Sequence, residues 1–330
     1  MKKIRKYIYL LLIFSYVSFT SCEDFALGEK FLQKPPSGDV TIDTIFSTAE
    51  YARRVLWYAY SKLPYGFSTG YNNSTSMRVG SIESLTDLAQ SYVGYAGADK
   101  LYYPGLYNAG SEDESGGEDH ATKYNMYARD PWKGIRHAWV FINNVDRVPD
   151  MTAEEKLRLK AEAKITIAVQ YSEMLRHYGA LPIVDHAIMP EEMGLPERAT
   201  LQQTVDFITR LLDEAIACKE LPWALPEDDL SNESGRMTGA AAMGLKLRVL
   251  LFVASPLFNS DEPYFPGEAS DKLMTWFGGY SEQRWKDAAK AGEDFFKSWK
   301  QGGFYELVQK ETATKNTIRQ AFQDAYYTRG

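Results

Sequence analysis

The 330-residue chain carries 37 basic and 44 acidic side chains, a net charge of −7, and 45% hydrophobic residues. That is enough apolar side chain for one large domain or two smaller ones. It excludes a basic nucleic-acid binder, because phosphate contact needs a basic face. Two cysteines, Cys22 and Cys218, exclude a disulfide scaffold, and no zinc-ligand spacing occurs anywhere.

Lys2, Lys3, Arg5 and Lys6 lead into an apolar run from Tyr7 to Phe19, followed by Thr20, Ser21 and Cys22. A basic start, a short apolar stretch and small residues before a break are the pattern of a secretory signal. The run would cover about 20 Å as a helix, short of the roughly 30 Å hydrocarbon core. Cys22 at the first mature position resembles the lipidation site of bacterial lipoproteins, although Phe19 and Thr20 depart from the usual lipobox. Residues 1–21 are therefore expected to be a lipoprotein signal peptide and Cys22 the site of lipid (palmitate) attachment. Each buried CH₂ contributes about 0.8 kcal/mol, so two or three acyl chains anchor a protein without a membrane-spanning helix. Removing residues 1–21 takes away four basic side chains and no acidic one, leaving 33 against 44, a net of −11.

Residues 22–40 read as an extended tether, since Pro35, Pro36 and Gly38 prevent helix. Ser47-Thr48-Ala49-Glu50 is a capping-box pattern opening a helix through about Lys62. Residues 64–119 are rich in Gly, Ser, Asn and Tyr with little helical period, and predict long loops with one short helix near Ser84–Ala89. Asp130-Pro131 starts a helix over Trp132–Asp146, with Trp132, Ile135, Trp139, Ile142 and Val145 on one face. Thr152 opens the next, which runs to Tyr178 and ends at Gly179, before the extended link Leu181–Val184. Thr200 caps a helix to about Glu220, and its apolar face would bury Cys218. Thr238 caps a nearly all-apolar helix through Ala254, which should be buried on most sides. Ser281 caps a fifth through Trp299, and a sixth is expected around Thr312–Tyr326. Helices without intervening strands predict an all-α helical-repeat body over 41–330.

No catalytic constellation stands out. Glu112, Asp113, Glu114, Glu118 and Asp119 match no EF-hand spacing and read as a solvated loop. No nucleophile elbow or phosphate-cradling glycine loop is present, and no cofactor or metal is implied. Arg236 stands before the cap of an apolar helix and is placed to bridge to a neighbouring carboxylate or carbonyl.

Four ordered blocks resemble the SusD/RagB nutrient-uptake lipoproteins of Bacteroidetes. They are the leader with Cys22-Glu23-Asp24-Phe25; Trp132-Lys133-Gly134-Ile135 with Ile142-Asn143-Asn144-Val145; Ala161-Glu162-Ala163-Lys164 with His177-Tyr178-Gly179-Ala180-Leu181-Pro182; and Gly235-Arg236-Met237-Thr238. Lys164-Ile165-Thr166-Ile167 departs from the family's basic tract, and family members usually continue well beyond this length, so the chain reads as a fragment or a truncated member. If a further half completes the helical stack, an apolar face should lie open. The resemblance implies a tetratricopeptide-like body with a loop-rich ligand region at 64–119. It also implies a non-enzymatic role: capture of a glycan (carbohydrate) at the cell surface and delivery to a TonB-dependent, SusC-like outer-membrane transporter. The outer membrane, facing the exterior, is the expected location. Sugar rings present apolar faces and hydroxyl rims, which suit aromatic and amide side chains. Tyr71, Asn73, Tyr95, Tyr102, Tyr103 and Tyr107 are thus the candidate glycan contacts. The alternative is a lipid-anchored helical-repeat adaptor that binds protein or peptide.

Overall fold

The computed structural model describes residues 41–63, 86–87, 90, 103–106, 130–188, 192, 194, 196–225, 228, 230–310 and 312–327. The chain divides into two units, Met1–Ile45 and Phe46–Gly330. Of the first, the described part is Thr41 and the single helical turn Ile42–Ile45. Everything below concerns the second.

Among the described residues seven longer helices follow in order: α1 (Ala49–Ser61), α2 (Asp130–Asn144), α3 (Ala153–Tyr178), α4 (Leu201–Ile216), α5 (Gly239–Ala254), α6 (Glu282–Gly302) and α7 (Lys315–Tyr327). From α1 to α6 each packs against the next in sequence, and α1 also reaches α3. This is the helical-repeat stack the sequence predicts, in which each element buries its apolar face on its neighbour. Among the described residues the β structure is limited to an isolated bridge between Pro182 and Arg198.

Local chemistry explains most helix starts. The hydroxyls of Thr48, Thr152, Thr200 and Thr238 each accept a hydrogen bond from a backbone N–H of the first turn they precede. Thr200 and Gln203 complete a reciprocal capping box. Ser281 differs: its side chain makes no cap bond, and instead its N–H donates to Asn259 Oδ1 at 2.7 Å. At the α1–α2 contact Gly134 is required by space. A Cβ there would lie 3.0 Å from Lys62 Cβ and 3.2 Å from Gln170 Nε2. Around it the core is built from Leu56, Ile135, Phe141, Ile165, Ile167 and Tyr171, all buried.

The extended link after α3 is held by side chains, not by a sheet. Trp139 Nε1 donates to the Val184 carbonyl at 2.8 Å. Tyr171 Oη donates to the Pro182 carbonyl at 2.9 Å and accepts from the Val184 N–H at 2.8 Å. Buried Thr204 accepts from the Leu181 N–H at 3.1 Å. The Leu181 and Val184 N–H groups and the Pro182 and Val184 carbonyls thereby find partners.

Three expectations need correction. Helix α4 stops at Ile216, not near Glu220, because residues 217–221 fold into tight turns before Pro222: Cys218 N–H donates to the Ala215 carbonyl and Leu221 N–H to that of Cys218. Cys218 therefore lies past the helix and is half-buried, with Sγ 3.6 Å from the Leu157 carbonyl. Helix α5 is not buried on most sides: Ala240, Ala242, Val249, Val253 and Ala254 are buried, but Leu251 is exposed and most of the remaining residues are half-buried. At the far end of the stack Phe296, Leu307, Ile318 and Phe322 also face solvent.

Candidate ligand-binding groove

Two signature blocks of the sequence meet in one ion network. Glu162, fully buried on α3, accepts from Arg236 Nη2 at 2.6 Å and Nε at 3.2 Å, from Arg158 Nε at 3.0 Å, and from Tyr60 Oη at 2.8 Å. Glu233 pairs with both arginines. The Met237 N–H donates to Tyr60 Oη at 3.1 Å, so the tyrosine ties α1 to both α3 and the α5 approach. Arg236 also stands over the Trp57 ring, 5.4 Å from its centroid. Burial would lower the Arg236 pKa, but Glu162 and Glu233 outweigh it and hold the guanidinium above its ordinary value. Burial, reinforced by the Glu162 charge, pushes the Tyr60 phenol up. The cluster's carboxylates are engaged by its own arginines and tyrosine, and it serves as a structural bolt between helices.

A recess suited to a ligand lies elsewhere, where the segment 255–281 folds back on the end of α3. Gly179 takes φ +72, and a Cβ there would lie 2.7 Å from the Met274 carbonyl. The N–H groups of Ala180 and Leu201 donate to the carbonyls of Met274 and Leu273 at 2.7 and 2.8 Å. Asn259 fixes the other side, donating to the Ala254 and Ser281 carbonyls and accepting from Arg284 at 2.8 Å. Ser270 Oγ accepts from the Gly267 N–H at 2.8 Å, and Trp276 Nε1 donates to the Ser270 carbonyl at 2.9 Å.

Between this loop and α3 lies a groove of about 440 Å³, lined by Leu175, Arg176, His177, Phe258, Tyr264 and Phe265 among others. Tyr264 and Phe265 form its rim and are 82% and 81% exposed. Pro263 and Pro266 flank them, limiting the backbone freedom that binding would otherwise remove. A rigid, exposed aromatic pair over a partly apolar recess is suited to stacking on a flat apolar face. A second groove of about 350 Å³ lies along α4, α5 and α6, but its charges are largely engaged internally, Lys246 with Asp213 and Lys290 with Asp294.

Of the sequence-predicted site residues, Tyr103 is described and is 43% exposed. Cys22, Tyr71, Asn73, Tyr95, Tyr102 and Tyr107, with the acidic cluster at 112–119, lie outside the described residues. Tyr264 and Phe265 are not among the sequence-predicted residues. The available signal was two adjacent aromatics between prolines in the gap after an apolar helix, a setting where neither ring has a helical face to join.

The same architecture occurs in solved structures. One named BT4246 superposes with a TM-score of 0.60 at 22% identity, over 83% of this chain and 43% of that one. The fold is that of the SusD-like proteins. A SusD-like protein from Bacteroides fragilis NCTC 9343 aligns at TM-score 0.52 and 18% identity, over 83% and 43% of the two chains. A SusD-like carbohydrate-binding protein from the same strain aligns at 0.50 and 18%, over 77% and 41%. The chain thus spans less than half the length of these structures. No family model matches the sequence, and no curated protein matches it.

Proposed function

We propose that this chain is a non-catalytic glycan-capture protein that binds oligo- or polysaccharide and passes it to a TonB-dependent outer-membrane transporter. The observation that carries the reading is the exposed Tyr264–Phe265 rim over a groove on a SusD-like fold. Handover requires only micromolar to millimolar affinity, about −4 to −8 kcal/mol, within reach of a few stacked rings and hydrogen bonds. The 64–119 tyrosines and Asn73 are proposed as further contacts, with Tyr103 contributing exposed aromatic surface. Cys22 is proposed as the lipid attachment site, which would hold the protein at the outer membrane, facing the exterior.

Recovery of the native protein from outer membranes, with intact mass and co-purifying partners read by mass spectrometry, tests the uptake role. An acylated Cys22 together with a TonB-dependent transporter is the expected result. Unacylated protein without a transporter would overturn that role and favour the adaptor alternative, for which exposed Leu307 and Phe322 would be the first contacts to probe.

A further inference from the structure

We infer that the ligand of the groove is an anionic oligosaccharide, one carrying uronate carboxylates or sulfate esters; this rests on the glycan-capture reading above. A smaller depression of about 150 Å³, lined by Ser172, Glu173, Leu245, Arg248 and Phe252, shares Leu175 and Arg176 with the aromatic-rimmed groove. The two adjoin at Leu175 and Arg176 on α3, so a ligand long enough to span both would follow one channel, with the aromatic lip in one part and Arg248 in the other.

The charges of this channel are unevenly engaged. Glu173 accepts from Arg176 Nη1 at 3.0 and 2.9 Å, and Glu268 from Lys272 Nζ at 2.6 Å, so both lining carboxylates already hold a cation. Arg176 spends only Nη1 in this way, leaving Nε and Nη2 without a partner among the described residues. Arg248, exposed on α5, makes no hydrogen bond or ion pair with any described residue. Arg176 and Arg248 balance Glu173 and Glu268, and Lys272 beside Glu268 adds one cation, so on a chain of net charge −7 this channel is locally not acidic and keeps guanidinium N–H donors to spare. A guanidinium fork matches a planar carboxylate or a sulfate through paired hydrogen bonds, and a neutral hydroxyl rim uses that geometry less well. The lip supplies stacking for sugar rings, and the arginines supply the choice of which sugars.

The test is the affinity of the full chain for polygalacturonate, chondroitin sulfate and neutral amylose, each at low and raised salt. The expected result is tighter binding of one or both anionic polymers, weakened by salt. Arg248→Gln combined with Arg176→Gln should lower that affinity about tenfold, a larger fold-change than for amylose. Preference for polygalacturonate would assign a carboxylate ligand, and preference for chondroitin sulfate a sulfate one. Amylose bound as tightly as the anionic polymers, or arginine variants that bind them normally, would overturn the anionic assignment while leaving glycan capture standing. Binding of no polysaccharide would overturn both.

Discussion

Arg236 Nη2 lies 2.6 Å from Oε1 of the fully buried Glu162, 74 residues earlier in the chain, and this contact joins the middle of α3 to the entry of α5. Arg158, Glu233 and Tyr60 close around the pair. Such a network holds a register between helices that apolar packing alone would leave freer to slide. Removing one member is costly because a charge stays buried without its partner.

Arg236→Ala should therefore lower unfolding stability by about 3 kcal/mol. Urea denaturation checks it, with the midpoint falling and the slope unchanged. Replacing both Glu162 and Arg236 by leucine should recover part of the loss, since neither charge is then stranded.

The same network sets the acid limit. Burial works to raise the Glu233 carboxyl, but hydrogen bonds and charge from Arg158 and Arg236 outweigh it, so it titrates below its ordinary 4.5. A depressed carboxyl contributes stability above pH 4.5 that is lost as pH falls through the lower folded value. His186 has the opposite sign. Its ring nitrogens lie 2.8 Å from Glu192 and 2.7 Å from Asp185, and these bonds raise it above 6.5. Its contribution is full below pH 6.5 and disappears as pH rises through the raised value. Denaturation across pH 3 to 5 should show a declining limb (on the order of one proton) that Glu233→Gln flattens. NMR titration should place His186 above 6.5.

Gly179→Ala should destabilise the fold by about 2 kcal/mol or more, since φ +72 is strained for alanine and the new Cβ would meet the Met274 carbonyl at 2.7 Å. The loop carrying the aromatic rim is docked at this point, so loss of ligand affinity should accompany the lower thermal midpoint. Gly194→Ala, at φ +98 with nothing within 4 Å of its Cβ among the described residues, separates backbone strain from the clash.

The helices were legible because their signals are local. A hydroxyl at Thr152 or Thr200 and a glycine at 179 act within a few residues of the end they define. The apolar run of α5 misled about burial, since hydrophobicity all round a helix does not say how many neighbours arrive to cover it, and Leu251 remains in solvent. The Glu162–Arg236 contact is half legible: the sequence places the arginine to bridge to a carboxylate or carbonyl, but which one depends on how α1, α3 and α5 stack. The groove was not legible. Its walls, Leu175 and Phe258, are far apart in sequence and come together where Ala180 and Leu201 bond to Met274 and Leu273.

Glycan binding by the wild-type chain beside the Tyr264→Ala/Phe265→Ala variant tests the central claim most directly. Both side chains are more than 80% exposed, so their removal should leave helical content and unfolding midpoint unchanged. The account predicts measurable polysaccharide affinity in the wild type, reduced at least tenfold in the variant, as expected when two stacking faces are removed. Equal affinity in both, with folding intact, would contradict the assignment of this groove as the glycan site.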